Sequence, residues 1–328
     1  MRGQPGLTCW FGELLTETYN PNKTLPITIE NFKEVYSAAP HILPNNNILN
    51  LISKVNKPPY DEIVIDFFKT DEKVEFKFDN KAINYLYMNG VIDQEKAEDG
   101  KYYLKFSYPF VQKRLFNYFS DRFFSYLGQL IYPLDTMADA VDEKNLYIPN
   151  IIKRYQAYLT KNQGVFFKMG RRPNPPCTAP GPSFFEDSVS NSCFFCTLSQ
   201  SISKNVPRRK DDLRIYEAIY HFNLFRYLCD LLKSWEIDVV PHFPTGNGKI
   251  DLILKYKEKI YALELKSFKN MNTHEKGIEQ AAEYGRQMGL NDVAFIVFVE
   301  LTPAEAKQLE KVVEKNGVNV TVLPVGIL

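Results

Sequence analysis

The clearest alternation of apolar and polar residues lies in the last third of the chain. A helical apolar period predicts a long helix over 211–235, and a period of two predicts strands after it. The elements predicted beyond that helix are strands at 238–243, 249–257 and 259–268, a helix at 274–289, a strand at 293–300, a helix at 302–317 and a strand at 319–325. This order predicts an α/β (α+β) domain built on a mixed sheet with helices on both faces.

The first 125 residues carry helical patterns separated by short polar turns. The run KAINYLYMNG predicts a helix that ends at Asn89-Gly90, because this pair readily adopts the left-handed conformation of a helix stop. After a polar turn, KYYLKF predicts a short strand, and a long aromatic helix follows it. The order has the shape of a winged helix. Such a unit either binds DNA through a recognition helix or serves as a protein-interaction or lid module, and both interpretations stay open.

The middle of the chain changes composition sharply. A helical pattern over 130–160 gives way to a segment over 170–206 that is rich in proline, serine and cysteine, which predicts a linker. Cys193 and Cys196 have the spacing of a metal knuckle, but no second Cys/His pair lies nearby, which disfavours a zinc site. We therefore predict three regions: a helical lid and winged-helix-like region (1–125), a helical connector with the linker (126–206), and the α/β domain (207–328).

Composition narrows the class of protein only slightly. The 328 residues are 45% hydrophobic and 24% charged, as in ordinary globular proteins. A formal net charge of +1 gives no global attraction to nucleic acid, so any basic surface would be local. The five cysteines are scattered and odd in number, and no run of about 18 apolar residues or signal peptide is present. We expect a soluble cytoplasmic protein without a membrane partner; the composition leaves its oligomeric state undetermined.

Two acids interrupt the predicted strand pair between residues 248 and 268. Asp251 stands between two apolar residues on the first strand, and Glu264 does so on the second, with Lys266 on the same face as Glu264. A charge inside a buried strand costs free energy unless it is paired or bound to a cation. Because a tight charged turn joins the two strands, they are predicted to be hairpin neighbours, and both acids then converge at one edge of the sheet.

This convergence predicts a site for a hard divalent cation, Mg²⁺ or Mn²⁺. Asp251 and Glu264 would be its protein ligands, completed by a backbone carbonyl and waters. Lys266 would orient or deprotonate the attacking water or stabilise developing charge on a phosphate. Glu217, in the preceding helix, is a candidate further acid. Gln280 and Tyr284 lie one turn apart on the next helix and are candidates to contact a phosphate backbone or brace the site.

These residues, in this order, resemble the PD-(D/E)XK nuclease superfamily. The resemblance covers residues 207–328, and the Gln-x-x-x-Tyr element at 280–284 is similar to that of its exonuclease-like branch. It departs from the pattern at Ile250, where the family has proline. The resemblance implies a restriction-endonuclease-like fold and cleavage of nucleic acid, with DNA favoured over RNA. It also implies that Asp251 and Glu264 bind the metal, that Lys266 is the catalytic lysine and that Glu217 is an accessory acid.

The start of the chain resembles a different part of a larger protein. Gly3-Gln-Pro-Gly6-Leu and the helices after it are similar to the lid of bacterial AAA-ATPase-like proteins, some of which end in such a nuclease domain. The phosphate-binding loop motif is absent, and 246–249 is its nearest mimic. The resemblance implies a C-terminal portion of a longer ATPase–nuclease, in which ATP would bind only to a core upstream of residue 1.

Two other functions remain open at this point. The α/β domain could be a catalytically inactive module that binds DNA or protein as the effector of an ATPase switch. Alternatively, residues 60–125 could bind duplex DNA as in a transcription regulator. The histidines at 221, 242 and 274 are scattered along the chain, and none is assigned a catalytic role.

Overall fold

A computed structural model gives the fold of the chain. It describes residues 5–166 and 217–327 with short gaps at 21, 24, 40–44, 70–73, 126, 128–129, 133 and 246–247, and also describes Ile215. The linker predicted over 170–206, the Cys193/Cys196 pair and the predicted domain boundary at 206/207 lie outside the described residues. The chain divides into two compact units, Met1–Ser125 and Tyr126–Leu328.

The first unit is mostly helical. Its elements are α1 (Pro5–Glu13, continued by a π-helical turn Leu14–Thr18), α2 (Ile29–Ala38), α3 (Asn46–Val55), α4 (Tyr60–Lys69), α5 (Lys81–Met88), β1 (Ile92–Lys96), β2 (Tyr102–Phe106) and α6 (Pro109–Phe123). Aromatic side chains fill its core, for instance Phe11 against Phe110 with ring centroids 5.3 Å apart. Arg122 of α6 donates to Asp61 of α4 at 3.1 Å, which joins these two helices at the edge of that core.

The helix-and-strand order predicted near residue 90 is present in this unit. The Asn80 side chain caps α5 by accepting from the amides of Ala82 and Ile83, and the helix is followed by Gly90 with a φ of +71°. The chain then forms the antiparallel pair β1–β2. Its first strand lies in the stretch predicted as a polar turn, so the turn is shorter than expected. Assignment of a winged helix or lid remains a prediction.

The second unit contains a mixed sheet. Its elements are α7 (Ile148–Phe166), α8 (Glu217–Leu232, then a 3₁₀ turn Lys233–Trp235), β3 (Asp238–Thr245), β4 (Gly248–Tyr256), β5 (Lys259–Ser267), α9 (Met271–Gln287), β6 (Asp292–Val299), α10 (Pro303–Ala306, then a 3₁₀ turn Lys307–Leu309), β7 (Lys311–Lys315) and β8 (Val318–Gly326). Among the described residues the six strands are ordered β3-β4-β5-β6-β8-β7. The pairs β5–β6 and β6–β8 are parallel, and the others are antiparallel.

Helices cover both faces of this sheet, as predicted. On one face, α9 packs its Ile278 and Ala281 into a buried cluster with Ala262 of β5 and Phe295 of β6. The approach is close at Gly277 of α9, where an added Cβ would lie 2.7 Å from the ring of Phe295. This position therefore favours glycine.

Phe298 of β6 anchors the helices on the opposite face. It stacks on Tyr220 of α8 with ring centroids 4.6 Å apart. Tyr155 of α7 meets the same ring edge-on at 6.4 Å. Both helices therefore pack on the sheet through one aromatic side chain.

The prediction of a helix over 302–317 is wrong for most of this range. Thr302 and Glu305 form a capping box that starts a helix, but α10 ends at Ala306. Lys311–Lys315 is instead a strand antiparallel to β8. Asn316 and Gly317 both have positive φ, +54° and +78°, which is the conformation of a tight hairpin turn rather than of a helix end. The Asn-Gly pair is the sequence signal that indicated this hairpin.

The helix predicted over 130–160 begins later, at Ile148. The residues before it form turns that hold the β4–β5 hairpin: the Leu146 amide donates to the Tyr261 hydroxyl, and the Tyr256 hydroxyl donates to the Asp142 carbonyl. The residues from 126 to 166 thus belong to the same compact unit as the sheet. Local helical periodicity does not reveal such contacts, because their partners lie more than 100 residues away. None of the helices in the described ranges combines the length and the apolar character that a membrane span requires.

Candidate functional site

The candidate site begins where β4 and β5 separate. The described pairing between these strands ends at Leu252–Leu263, and Asp251 and Glu264 stand one residue beyond it. There the Asp251 carboxylate, not the β4 backbone, accepts the amide hydrogen of Leu265 through Oδ2 at 2.8 Å. The acid therefore satisfies a strand amide that separation of the strands would otherwise leave unpaired. This bond is one reason for an acid in an apolar strand.

A second acid binds the same strand two residues further on. Glu217, the first residue of α8, accepts from the Ser267 amide through Oε2 at 2.7 Å. Burial raises the pKa of the Glu217 carboxyl, while Lys266 and His221 oppose this rise and Asp251 adds to it. The predicted accessory acid is thus within electrostatic reach of two other predicted site residues.

Glu264 and Lys266 lie on the sheet face that α9 covers. Glu264 is 1% exposed, and its Oε1 lies 3.4 Å from the Lys266 ammonium. The stem of Lys266 passes close to Gly277, whose added Cβ would lie 3.6 Å from the lysine Cγ. The predicted acid and lysine are therefore paired and largely enclosed, with the Lys266 side chain 14% exposed.

The acidic side chains at this strand end supply oxygen donors, the ligand type that hard divalent cations prefer. Within the described ranges, no three His, Cys, Asp or Glu side chains are grouped so as to hold a metal ion by themselves. Mg²⁺, however, commonly binds proteins through one or two carboxylates and takes its remaining ligands from water and substrate phosphate. Asp251 and Glu264 are such oxygen donors, and two ionised carboxylates carry more negative charge than Lys266 neutralises. A cation held by Asp251 and Glu264 would offset this excess.

Gln280 and Tyr284 are joined to each other on α9. The Gln280 amide donates to the Tyr284 hydroxyl at 2.7 Å, and Tyr284 packs against the core cluster under the helix. Glu275 on the same helix pairs with Lys311 of β7 at 2.9 Å, so that side of α9 faces β7. At 100° per residue, Gln280 and Tyr284 point away from β7, toward the β4 side of the sheet. Their role at the site remains a prediction.

His221 is a residue that the sequence reasoning did not assign to the site. It lies one turn after Glu217 on α8, is 3% exposed, and its Nδ1 is 3.8 Å from Asp251 Oδ1. The available signal was its spacing: a polar residue four positions after Glu217, inside the otherwise apolar run AIYHF.

His274 is a second buried histidine, in the first turn of α9. Its ring lies 5.9 Å from Phe268 and 5.6 Å from Phe295, and neither ring nitrogen has a hydrogen-bond partner among the described residues. Burial lowers the pKa of His274, the charge of Lys311 lowers it further, and Glu275 opposes both. The folded protein thus favours the neutral imidazole.

We expect His274 to make the protein less stable in acid. The pKa of His274 in the folded protein is below the value of about 6.5 in the unfolded chain. The contribution of neutral His274 to the free energy of unfolding is therefore fully present above about pH 6.5 and is lost as the pH falls through the folded pKa. The His274→Leu variant should therefore lose less unfolding free energy than the wild type between pH 7.5 and pH 5.5. Urea unfolding at the two pH values measures this difference. Equal losses in both proteins would contradict a depressed pKa at His274.

The described side chains offer two buried carboxylates, a lysine paired with one of them, and a third acid bound to the same strand. Oxygen donors of this kind can bind a hard cation, and an ammonium group beside them can contact a phosphate. Compared with protein-family models and with curated proteins, the chain matches none.

Proposed function

We propose that the second unit is a metal-dependent nuclease of the PD-(D/E)XK type that hydrolyses phosphodiester bonds in nucleic acid, with DNA as the favoured substrate. The observation that carries the proposal is that the buried Asp251 bonds the β5 backbone at Leu265, where β4 and β5 separate, and that the flanking Glu264 and Lys266 form an enclosed ion pair. Burying carboxylates at the end of a strand pair lowers the stability of the fold. A bound cation would offset this cost, so cation binding explains why acids occupy these positions. The finer proposal is a restriction-endonuclease-like fold.

Each side chain has a distinct task in this proposal. A bound Mg²⁺ or Mn²⁺ ion would supply Lewis-acid stabilisation of the phosphate and lower the pKa of water. Asp251 and Glu264 hold the cation site, and Lys266 places positive charge beside the scissile phosphate. Glu217 keeps the end of β5 in position through Ser267. Gln280 and Tyr284 are proposed to contact the nucleic-acid backbone.

The experiment is a cleavage assay on supercoiled plasmid, linear duplex and single-stranded RNA, with Mg²⁺ or with EDTA. We expect Mg²⁺-dependent cleavage that falls roughly 100-fold or more in Glu264→Gln and Lys266→Met, as for loss of one transition-state contact. The matched controls are Glu275→Gln and Lys311→Met, which break an exposed carboxylate–lysine pair between α9 and β7 of the same unit. These controls should cleave like the wild type. Equal cleavage in all five proteins would refute the site.

The second candidate is a module with this fold that binds DNA or protein without cleaving. The hydrogen bonds from the Leu265 and Ser267 amides favour it, because they give Asp251 and Glu217 a structural role without any metal. Calorimetric titration with Mn²⁺ separates the two candidates. A nuclease should bind Mn²⁺ in a manner that depends on Asp251 and Glu264, whereas a binding module should show no such binding.

The first unit is proposed to be the lid and winged-helix-like region of an AAA-ATPase-like protein. The order of α5, the β1–β2 pair and α6 supports this proposal. In that arrangement the nuclease would be a module of such an ATPase-like protein. Gel-shift titration of the full chain against duplexes of different sequence tests the alternative of sequence-specific duplex binding by residues 60–125.

A further inference from the structure

His221 occupies an unusual place for a polar side chain. All eight residues from Ala218 to Phe225 are buried, so this part of α8 has no solvent-facing side. A leucine or phenylalanine would fill such a position without the desolvation cost of an imidazole. The burial alone therefore does not explain a histidine at 221.

Its two nitrogens have different surroundings. Nδ1 lies 3.8 Å from Asp251 Oδ1, while the other oxygen of that carboxylate accepts from the Leu265 amide at 2.8 Å. Nε2 is buried and has no hydrogen-bond partner among the described residues. The tautomer with hydrogen on Nδ1 directs a donor at Asp251. The distance exceeds that of a hydrogen bond, as is common at catalytic sites before substrate binds.

We infer that His221 is a positioning residue, which orients the Asp251 carboxylate through Nδ1. Asp251 is then held from two sides, by the β5 backbone at Oδ2 and by α8 at Oδ1. The inference rests on the proposed function for its purpose, because a fixed carboxylate matters most where it binds a cation. The proposed contact between His221 and Asp251 involves only side chains of this protein, so it can be tested without metal.

Three substitutions separate the possible roles of the imidazole. His221→Asn places an amide donor near the position of Nδ1, His221→Gln places one near Nε2, and His221→Leu removes both nitrogens while filling the volume. The first readout is hydrogen exchange of the Leu265 amide in the metal-free full chain. Its reference is the Phe268 amide, which donates to the Phe298 carbonyl at 2.8 Å at the same end of β5.

We expect the ratio of the Leu265 amide exchange rate to that of Phe268 to rise about tenfold in His221→Leu and His221→Gln. In His221→Asn the ratio should stay within about threefold of the wild-type value. The second readout is the Mn²⁺ dissociation constant from calorimetry, which should weaken roughly 10–100-fold in His221→Leu and His221→Gln, as for other groups that orient a metal ligand. A purely structural histidine would move both amides together.

Two results would overturn the inference. If His221→Leu leaves the Leu265 exchange ratio and Mn²⁺ binding at wild-type values, the imidazole is only a space-filling group. If His221→Gln preserves both readouts and His221→Asn does not, Nε2 is the nitrogen that orients Asp251 and the assignment to Nδ1 is wrong. A wild type that binds no Mn²⁺ would refute the proposed function, whereas the exchange ratios would still decide the role of His221. Should the Leu variant not fold, the Asn and Gln pair decides it.

Discussion

Replacing Asp251 with asparagine is expected to lower Mg²⁺-dependent cleavage by roughly 10³-fold, which corresponds to about 4 kcal/mol of lost transition-state stabilisation. The substitution removes one of the two proposed carboxylate ligands without changing the size of the side chain. An asparagine oxygen can still accept the Leu265 amide hydrogen that Oδ2 accepts in the wild type. The loss should therefore come from the missing charge and not from a collapsed strand end.

The stability of the same variant provides the second half of this prediction. Asp251, Glu264 and Glu217 are three acids at this strand end, where Glu264 pairs with Lys266 and Asp251 contributes to the raised pKa of the Glu217 carboxyl. Removing one of these negative charges should leave the metal-free unfolding free energy unchanged or raise it by up to about 1 kcal/mol. Residues retained for activity often have this cost in stability.

The measurements are plasmid cleavage, Mn²⁺ calorimetry and thermal unfolding with and without Mn²⁺. The wild type should gain stability from the ion by mass action, and Asp251→Asn should lose most of that gain. Asp292→Asn is the matched control, because this exposed aspartate lies at the opposite end of the sheet, where it accepts from the Asn319 amide. An Asp251→Asn protein that cleaves and binds Mn²⁺ like this control would contradict the assignment of Asp251 as a ligand.

Period-two alternation was sufficient to predict the central part of the sheet. It correctly identified β4 and β5 as antiparallel neighbours, and it placed Glu264 and Lys266 on one face because side chains alternate along a strand. The near-continuous apolar run of β6 was also correctly assigned, since a strand covered on both faces has no polar side. These are local patterns, and local patterns are visible in a single sequence.

The errors arose where distant contacts decide the structure. Lys311–Lys315 follows a well-formed helix start, yet pairing with β8 through the Asn316-Gly317 turn makes it a strand. The hydrogen bonds of Asp251 to Leu265 and of Glu217 to Ser267 depend on where β4 leaves β5, which alternation does not specify. His221 was missed because its relation to Asp251 spans 30 residues and two different elements.

Replacing Phe298 with alanine is expected to cause the largest loss of stability, about 3–5 kcal/mol for the second unit. Phe298 is 1% exposed and packs against Tyr220 of α8 and Tyr155 of α7. Its loss leaves a cavity beneath both helices. Because α8 also carries Glu217 and His221, cleavage should fall even under conditions where the variant remains folded.

Urea unfolding followed by tryptophan fluorescence measures this loss. The chain has two tryptophans, Trp10 in the first unit and Trp235 in the second, so a Trp10→Phe background makes the signal specific to the second unit. The control in that background is Met271→Ala, at an apolar residue of the second unit that is 52% exposed, which should change stability by no more than about 0.5 kcal/mol. If Phe298→Ala costs less than about 1 kcal/mol, α8 is not held on the sheet through Phe298. The packing on Phe298 would then not be what positions Glu217 and His221, because the helix would keep its place without the aromatic contact.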